Sequence, residues 1–442
     1  MLNRDRSQQI LHLTLPVMGG MISQNVLNLV DMYMVGRLGP TAVAAIGITS
    51  YVNWLLAAAF IGLSAGVQAM VARRMGEGRS DIAARPLNGS LLMIAFSAIP
   101  LAIILILCAP WIVSLLTDDP EVAAQGTPYL QARIAGIAAI GMNFSFRAYW
   151  SAIKLTRFYF MTLLVMHTIN IGINYVLIFG HFGLPALGTF GAGLGTTISL
   201  YLGTLMYFAY AWTHTRQYGF LASLPRWETV RAIIKVSVPA CAQQFFFSLG
   251  FIFLFWIVGQ IGTGELAVAN VLTNTLLVAF LPCLAFGLSA ATLVGQALGR
   301  KDAEDAYRWG WDVAKLALIV VFIISVPMFV LAPWIMHLFI VDPAIAELGV
   351  IPLRLVAVGL LLDAVGTVLF NSMQGAGATL NTMAVTLALQ WLVFLPLAYW
   401  TGPVLGLGLL MIWSIYVGYR AFQTGVFIWL WRRKQWTTIK LS

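Results

Sequence analysis

The sequence predicts an all-α integral membrane protein with twelve transmembrane helices in two six-helix lobes. Three observations carry that prediction. Of 442 residues, 60% are hydrophobic and only 9% charged, against about 25% charged in a soluble domain. The apolar residues gather into twelve runs, each near or above the roughly 20 residues needed to span a bilayer. The two halves of the chain also resemble each other at a fixed spacing.

Runs broken by Gly, Pro or charge clusters place helices near 8–36, 43–72, 86–116, 125–151, 157–180 and 187–213 in the first half. The second half gives 231–259, 266–298, 309–340, 346–374, 378–400 and 404–431. The first run follows a polar start, MLNRDRSQQ, and Ile10 to Gly36 is longer than a signal-peptide core and has no small-residue cleavage site. It therefore reads as a spanning helix. The domains expected are an N-lobe over 1–213, a cytoplasmic linker over 214–230 and a C-lobe over 231–442.

Charge sets the orientation. Alternating the loops between two sides puts 21 of the 25 basic residues on one side. They run from Arg4 and Arg6 through Arg73, Arg74, Arg147, Lys154, Arg300 and Lys301 to Arg432, Arg433, Lys434 and Lys440. The opposite loops hold Arg37 and acids such as Asp119, Glu121 and Asp342. By the positive-inside rule both termini are cytoplasmic. The net charge of +9 is thus a topology signal spread over six loops, and no nucleic-acid partner is expected. Trp309, Trp311, Trp429, Trp431 and Trp436 fall at helix edges, as an aromatic belt would. Cys108, Cys241 and Cys283 lie unpaired in apolar runs, so they read as packing residues.

At a spacing of 223 residues Pro16 matches Pro239, Gly36 matches Gly259, Gly39 matches Gly262, Ala44 matches Ala267 and Gly76 matches Gly299. The tetrapeptide GLSA recurs at Gly62 and Gly287. Six helices return the chain to its starting side, so the two copies share one orientation and are related by an axis along the membrane normal.

Polar residues inside these runs are candidates for function, because intramembrane acids are rare and costly. In the first helix Gly20, Gln24, Asn28 and Asp31 share a narrow face. In the fifth, His167, Asn170 and Asn174 share another, with Asn174 at about the depth of Asp31. The two faces could meet, and Thr196 or Thr197 of the sixth helix could add a hydroxyl. One carboxylate with amide and hydroxyl oxygens suits Na⁺; a desolvated carboxylate also takes up H⁺ readily. The alternative is a polar knot that only holds helices together. The tenth helix repeats the spacing with Asp363, Thr367, Asn371 and Gln374, a second polar face open to substrate or to structural hydrogen bonds. Arg354 lies on the opposite side of that helix. His167 lacks a second ligand residue at metal spacing and reads as a satisfied core histidine. Arg133 and Arg420 read as snorkelling side chains without a role, and Pro16 marks a kink or hinge.

The segments LPVMGGMISQNVLNLVDMYMVGRLG, NIGIN and FGAGLGTT resemble the MATE (multidrug and toxic compound extrusion) transporters of bacteria, over nearly the full chain. The resemblance implies a secondary antiporter of the plasma (inner) membrane that exports amphipathic, mainly cationic drugs in exchange for H⁺ or Na⁺ by alternating access. It implies no cofactor beyond that ion, no enzymatic activity, membrane lipid as surroundings and a monomer. By position, Pro16 and Asp31 match the family's first-helix proline and cation-coupling aspartate. Asn170, Asn174 and Thr196 match its fifth- and sixth-helix positions, and Asp363 matches the tenth-helix acid of NorM-like members. DinF-like members carry an aspartate where this chain has Asn174, and NorM-like members a seventh-helix glutamate near Phe246 and Phe247. Coupling is therefore assigned to the first lobe. Two other readings stay open: a flippase for lipid or lipid-linked oligosaccharide, and an enzyme binding Mg²⁺ through Asp302, Glu304 and Asp305.

Overall fold

The computed structural model describes residues 4–223, 225–439 and 441, and among these the regular structure is helical throughout. Lys440, counted above in the basic tail, lies outside the described residues. Three long helices open the chain: α1 (Arg4–Gly36), α2 (Pro40–Gly76) and α3 (Arg85–Ser114). The pair α4 (Pro120–Ala135) and α5 (Ile137–Ala152) makes the fourth crossing, followed by α6 (Thr156–Phe179) and α7 (Gly188–His214). In the second half α8 (Trp227–Gly259) and α9 (Thr263–Gly299) precede a ninth crossing of α10 (Ala303–Val330) and α11 (Ala332–Phe339). Then come α12 (Pro343–Gly375), an eleventh crossing containing α13 (Thr379–Leu387) and α14 (Leu395–Tyr399), and α15 (Gly408–Arg432).

Nine described stretches are long and apolar enough to span a bilayer. The remaining three crossings are α4 with α5, which divide at Gly136, and α7 and α15, whose apolar character is diluted by Gly, Thr, Tyr and Arg420. The sequence did not announce the internal breaks. Each has a local cause: Gly136 lets its N–H turn back to Arg133 O at 3.0 Å, and Pro333 starts α11 without needing a donor. In the eleventh crossing Ala388–Phe394 and Trp400–Val404 widen into π-helix around Pro396, which cannot donate back, and Gly402-Pro403. The ninth crossing begins at Ala303, earlier than expected, because Asp302 caps it by accepting from Asp305 N at 2.8 Å.

The chain divides into two compact units. The first comprises Pro16–Met75 and Arg79–Cys241; the second comprises the described part of Met1–Leu15, Gly76–Gly78 and Ala242–Leu441. The chain therefore passes from one unit to the other inside α1 at Pro16 and inside α8 just after Pro239. In the second unit the N-terminal leg of α1 packs on α9, with Thr14 Oγ1 2.8 Å from Ser289 Oγ. In the first unit the leg of α8 packs on α2, where a Cβ on Gly66 would strike Ser237 Oγ and one on Gly62 the backbone of Cys241. Thr14 and Ser237 are 223 residues apart, as are Gly66 and Ser289, so each unit makes the same contact with exchanged partners.

The repeat is also written in the backbone. Positive φ occurs at Gly78 and Lys301, at Lys154 and Gly377, and at Gly183 and Gly406, and each pair again differs by 223.

Tryptophan placement corrects the belt expectation. Trp431 and Trp436 are buried and stack at 3.9 Å, and Trp309 is buried and donates to Asp305 Oδ2 at 2.9 Å. Trp429 is exposed. The buried rings pack the end of α15 against α10, with Trp309 donating to a carboxylate and Trp436 Nε1 to the backbone carbonyl of Trp431 at 3.0 Å.

Candidate functional site

Gly20, Gln24 and Asp31 of the first-helix stripe meet α6, whereas Asn28 is exposed and bonds to Gln24 of its own helix. A Cβ on Gly20 would meet Leu163 and Tyr159, so the two helices approach closely there and bring the following turns together. One turn on, Gln24 Oε1 accepts from His167 Nε2 at 3.1 Å, and Ser23 Oγ lies 2.7 Å from His167 Nδ1. Because an amide oxygen only accepts, Nε2 carries a hydrogen, and Nδ1 shares a hydrogen bond with the Ser23 hydroxyl. Gln24 Nε2 also donates to Asn28 Oδ1 at 3.1 Å. With both ring nitrogens engaged, His167 is a satisfied histidine, as its sequence context indicated.

Two turns further, Asn174 Nδ2 donates to Asp31 Oδ1 at 2.9 Å and to Asn170 Oδ1 at 3.0 Å. Both asparagines are 1% exposed, so their amide orientation is fixed by packing. The Asn174 amide fits because α7 has glycine opposite it: a Cβ on Gly195 would strike Asn174 Oδ1. Gly191 and Gly193 of the same run abut Leu177 O and Tyr129 O, which seats α7 against α6 and α4.

Asn170 Nδ2 and Asn174 Oδ1 are buried without a hydrogen-bond partner. The Asn174 amide thus turns its nitrogen toward the oxygens of Asp31 and Asn170 and its own Oδ1 toward Gly195. The carboxylate and amide oxygen gathered at that nitrogen are acceptors that a proton or a hard monovalent cation would satisfy. The donor set is all oxygen, and no cluster of His, Cys, Asp and Glu suited to a transition metal occurs among the described residues. Thr196 directs its hydroxyl to Ala192 O of its own helix at 2.9 Å, and Thr197 to Ala132 O at 2.7 Å; neither is joined to Asp31 by a hydrogen bond.

In the second unit the tenth-crossing face is organised differently. Asp363, 3% exposed, receives Arg420 of α15: Nε lies 2.7 Å and Nη2 2.6 Å from Oδ1. Arg420 Nη1 donates to Gln423 Oε1 at 2.7 Å. Thr367 O accepts from Asn371 Nδ2 at 2.9 Å, and Gln374 reaches Gln243 at 3.5 Å. Arg420 therefore does not snorkel; a buried carboxylate within reach holds it more strongly than an interface would. Arg354 turns away from Asp363 to Phe329 O at 3.4 Å, as its place on the helix required.

The spacing of 223 exposes a division between the units. Gln390 corresponds to His167, Phe246 and Phe247 to Ser23 and Gln24, Leu254 to Asp31, and Val393 and Leu397 to Asn170 and Asn174. Gln390 Nε2 donates to Phe247 O at 3.1 Å and Trp391 Nε1 to Phe246 O at 3.2 Å. The same two crossings meet in both units, but polar side chains line the contact in one and aromatic and aliphatic ones in the other. Sequence reasoning missed Arg420 and Gln390, although an arginine inside an apolar run was signal enough to ask for its acid.

The acids offered for an enzyme are all committed. Asp302 caps α10, Glu304 pairs with Lys434 at 2.6 Å, and Asp305 pairs with Arg6 at 2.7 Å and Arg300 at 2.9 Å.

The family model MatE matches residues 16–176 and again 239–400, two stretches beginning 223 residues apart. Two curated proteins called probable multidrug resistance protein NorM are similar over most of the chain. That of Thermotoga maritima is 25% identical over 415 residues, 92% of this chain and 88% of its own. That of Bradyrhizobium diazoefficiens is 29% identical over 434 residues, 96% and 91% respectively. A solved structure described as the outward-facing conformation of a multidrug resistance MATE family transporter of the MOP superfamily aligns with a TM-score of 0.89 at 21% identity, covering 98% of this chain and 97% of that one. A MATE structure in complex with Br-NRF aligns at 0.81 and 22% identity, over 99% and 98%.

Proposed function

The chain belongs to the MatE family of multidrug efflux transporters, and on that premise we propose that it is a secondary antiporter coupled to a cation at Asp31. The observation that carries this reading is the Asp31–Asn174–Asn170 cluster, a carboxylate hydrogen-bonded to a pair of buried amides inside a membrane-spanning helix pair. Entry of H⁺ or Na⁺ satisfies the cluster, and binding of an amphipathic, mainly cationic substrate favours the opposite-facing state, so that one moves in as the other moves out. Its two lobes of six crossings each, expected at 1–213 and 231–442, correspond to the two compact units with the first leg of α1 exchanged into the second and the first leg of α8 into the first. The protein sits in a bacterial inner membrane with both termini cytoplasmic, acting as a monomer among lipids. Pro16, within α1, is where the helix can bend, because proline brings no N–H to the helix and its ring crowds the preceding turn.

The energetics close with one ion. A hundredfold substrate gradient needs about 2.8 kcal/mol, and two units of pH difference supply about the same. A monovalent substrate exchanged one for one moves no net charge, so the ion gradient alone drives it.

The flippase reading calls for a cationic cleft to receive a pyrophosphate or phosphate, whereas few of the basic residues lie mid-membrane and one of them, Arg420, is held by Asp363. The test is efflux of a fluorescent cationic dye from proteoliposomes under an imposed Na⁺ gradient and, separately, a pH gradient. Efflux driven by one of them supports antiport; transbilayer movement of labelled lipid, with no dye movement under either, supports the flippase.

A further inference from the structure

We infer that Arg420 is a built-in counterion that occupies Asp363 and so closes the second unit to exchangeable cations, making it a residue that sets ion stoichiometry. The inference builds on the antiport reading, and goes beyond it by assigning a role to a residue of the opposite unit.

Geometry carries the argument. Asp363 is a carboxylate in the middle of a membrane-spanning helix, the kind of group that attracts a cation. Its Oδ1 takes two guanidinium nitrogens at 2.6 and 2.7 Å. The third nitrogen is anchored to Gln423, one turn along α15, so the guanidinium cannot swing away without breaking both attachments. The remaining surroundings are neutral: Tyr416 and Tyr419 of α15, Cys283 of α9, and the Phe280 ring 6.0 Å from the Arg420 Cζ. A mobile cation approaching this pair meets a dipole instead of a charge. To bind, it would have to evict a tethered cation and leave that cation buried without a partner, which is strongly unfavourable.

The repeat reinforces this. In the first unit the acid Asp31 is bonded to an amide, a neutral donor, and Arg133 acts on it only through space, without the direct ion pair that Arg420 makes with Asp363. The positions of the second unit that correspond to Asp31, Asn170 and Asn174 are Leu254, Val393 and Leu397. Removing Arg420 should therefore create a cation site where the wild type has none.

The experiment counts exchangeable cations on full-length protein in lipid nanodiscs, by ²²Na⁺ binding and by the infrared band of protonated carboxyl groups across a pH step. Wild type should show one equivalent, lost in Asp31→Asn. Arg420→Met should gain a second equivalent, as Na⁺ uptake or as a new carboxyl band, and Asp363→Asn with Arg420→Met should lose it again. Arg420→Lys should keep the wild-type count. A monodisperse Arg420→Met protein with no added equivalent, or Arg420→Lys gaining as much as Arg420→Met, overturns the inference.

The Asp31→Asn protein keeps the question open to test even where Arg420→Met fails to fold. Absence of any exchangeable cation in it supports the inference. A cation retained there and abolished by adding the Asp363→Asn, Arg420→Met pair overturns it. A cation retained in spite of that pair shows instead that coupling does not rest on Asp31, and leaves the closed state of Asp363 supported.

Discussion

Asn174 of α6 donates an amide hydrogen to Asp31 of α1 across 2.9 Å. This bond joins the two helices at the candidate cation site, two turns beyond the His167 contacts with Ser23 and Gln24. A hydrogen bond to a charged group contributes about 1.5–3 kcal/mol. Asn174→Ala should weaken cation binding by roughly tenfold to a hundredfold, at about 1.4 kcal/mol per decade, while Asn170→Ala should have the smaller effect because Asn170 bonds only to Asn174. Titrating cation-dependent tryptophan fluorescence in both variants checks the order; equal affinities in wild type and Asn174→Ala would contradict it.

Gly195 owes its identity to the Asn174 amide. The added methyl of Gly195→Ala would land on Asn174 Oδ1, and overpacking of this kind typically costs about 1–3 kcal/mol. Dye efflux should fall sharply while membrane insertion persists. Gly172 has nothing within reach of an added Cβ, so Gly172→Ala should retain transport and serves as the control.

At the start of α1, Arg6 holds that helix's leg to α10. It lies 2.7 Å from both Asp305 and Asp312, with its guanidinium 3.7 Å from the centre of the Trp309 ring. Arg6→Met should lower the thermal midpoint of the purified protein. Asp305→Asn should do the same, and the double variant should lose less than the sum because the two act on one bond. Strict additivity would show that the contact contributes nothing.

Lys301 has φ 62 in an exposed turn where the equivalent position of the first half is Gly78 with φ 74. Left-handed backbone costs a non-glycine residue about 1–2 kcal/mol, partly offset by glycine's extra freedom in the unfolded chain. Lys301→Gly should raise stability by up to about 1 kcal/mol, read as a higher thermal midpoint. A lower midpoint would mean the lysine side chain makes a compensating contact.

Asp363→Asn alone should destabilise by about 3–5 kcal/mol, because it strands Arg420 in the interior. Restoring neutrality with Arg420→Met should recover much of the loss. Thermal unfolding of the single and double variants decides this, and a single variant as stable as wild type would contradict it.

Much of this architecture could be read from the chain because membranes simplify the physics. Apolar length marks crossings, and the 223-residue spacing that joined Pro16 to Pro239 reappears in the backbone at Gly78 and Lys301. The meeting of Gln24 and Asp31 with His167 and Asn174 was legible from helical spacing alone, since polar faces in hydrocarbon have few other places to turn. What was not legible depended on approach between distant segments. Nothing in the spacing of Asp363 points to Arg420, 57 residues later. The stacking of Trp431 on Trp436 requires a turn at Lys434, whose positive φ no apolar pattern encodes. The widening of the eleventh crossing reflects Pro396 and Pro403 acting on backbone hydrogen bonds, which hydrophobic periodicity does not register.

The central claim is best tested by ion-driven dye efflux from proteoliposomes containing Asp31→Asn, at matched protein incorporation, beside wild type. Loss of gradient-driven efflux to the level of empty liposomes is the expected result. Efflux at the wild-type rate under the same Na⁺ or pH gradient would contradict the account.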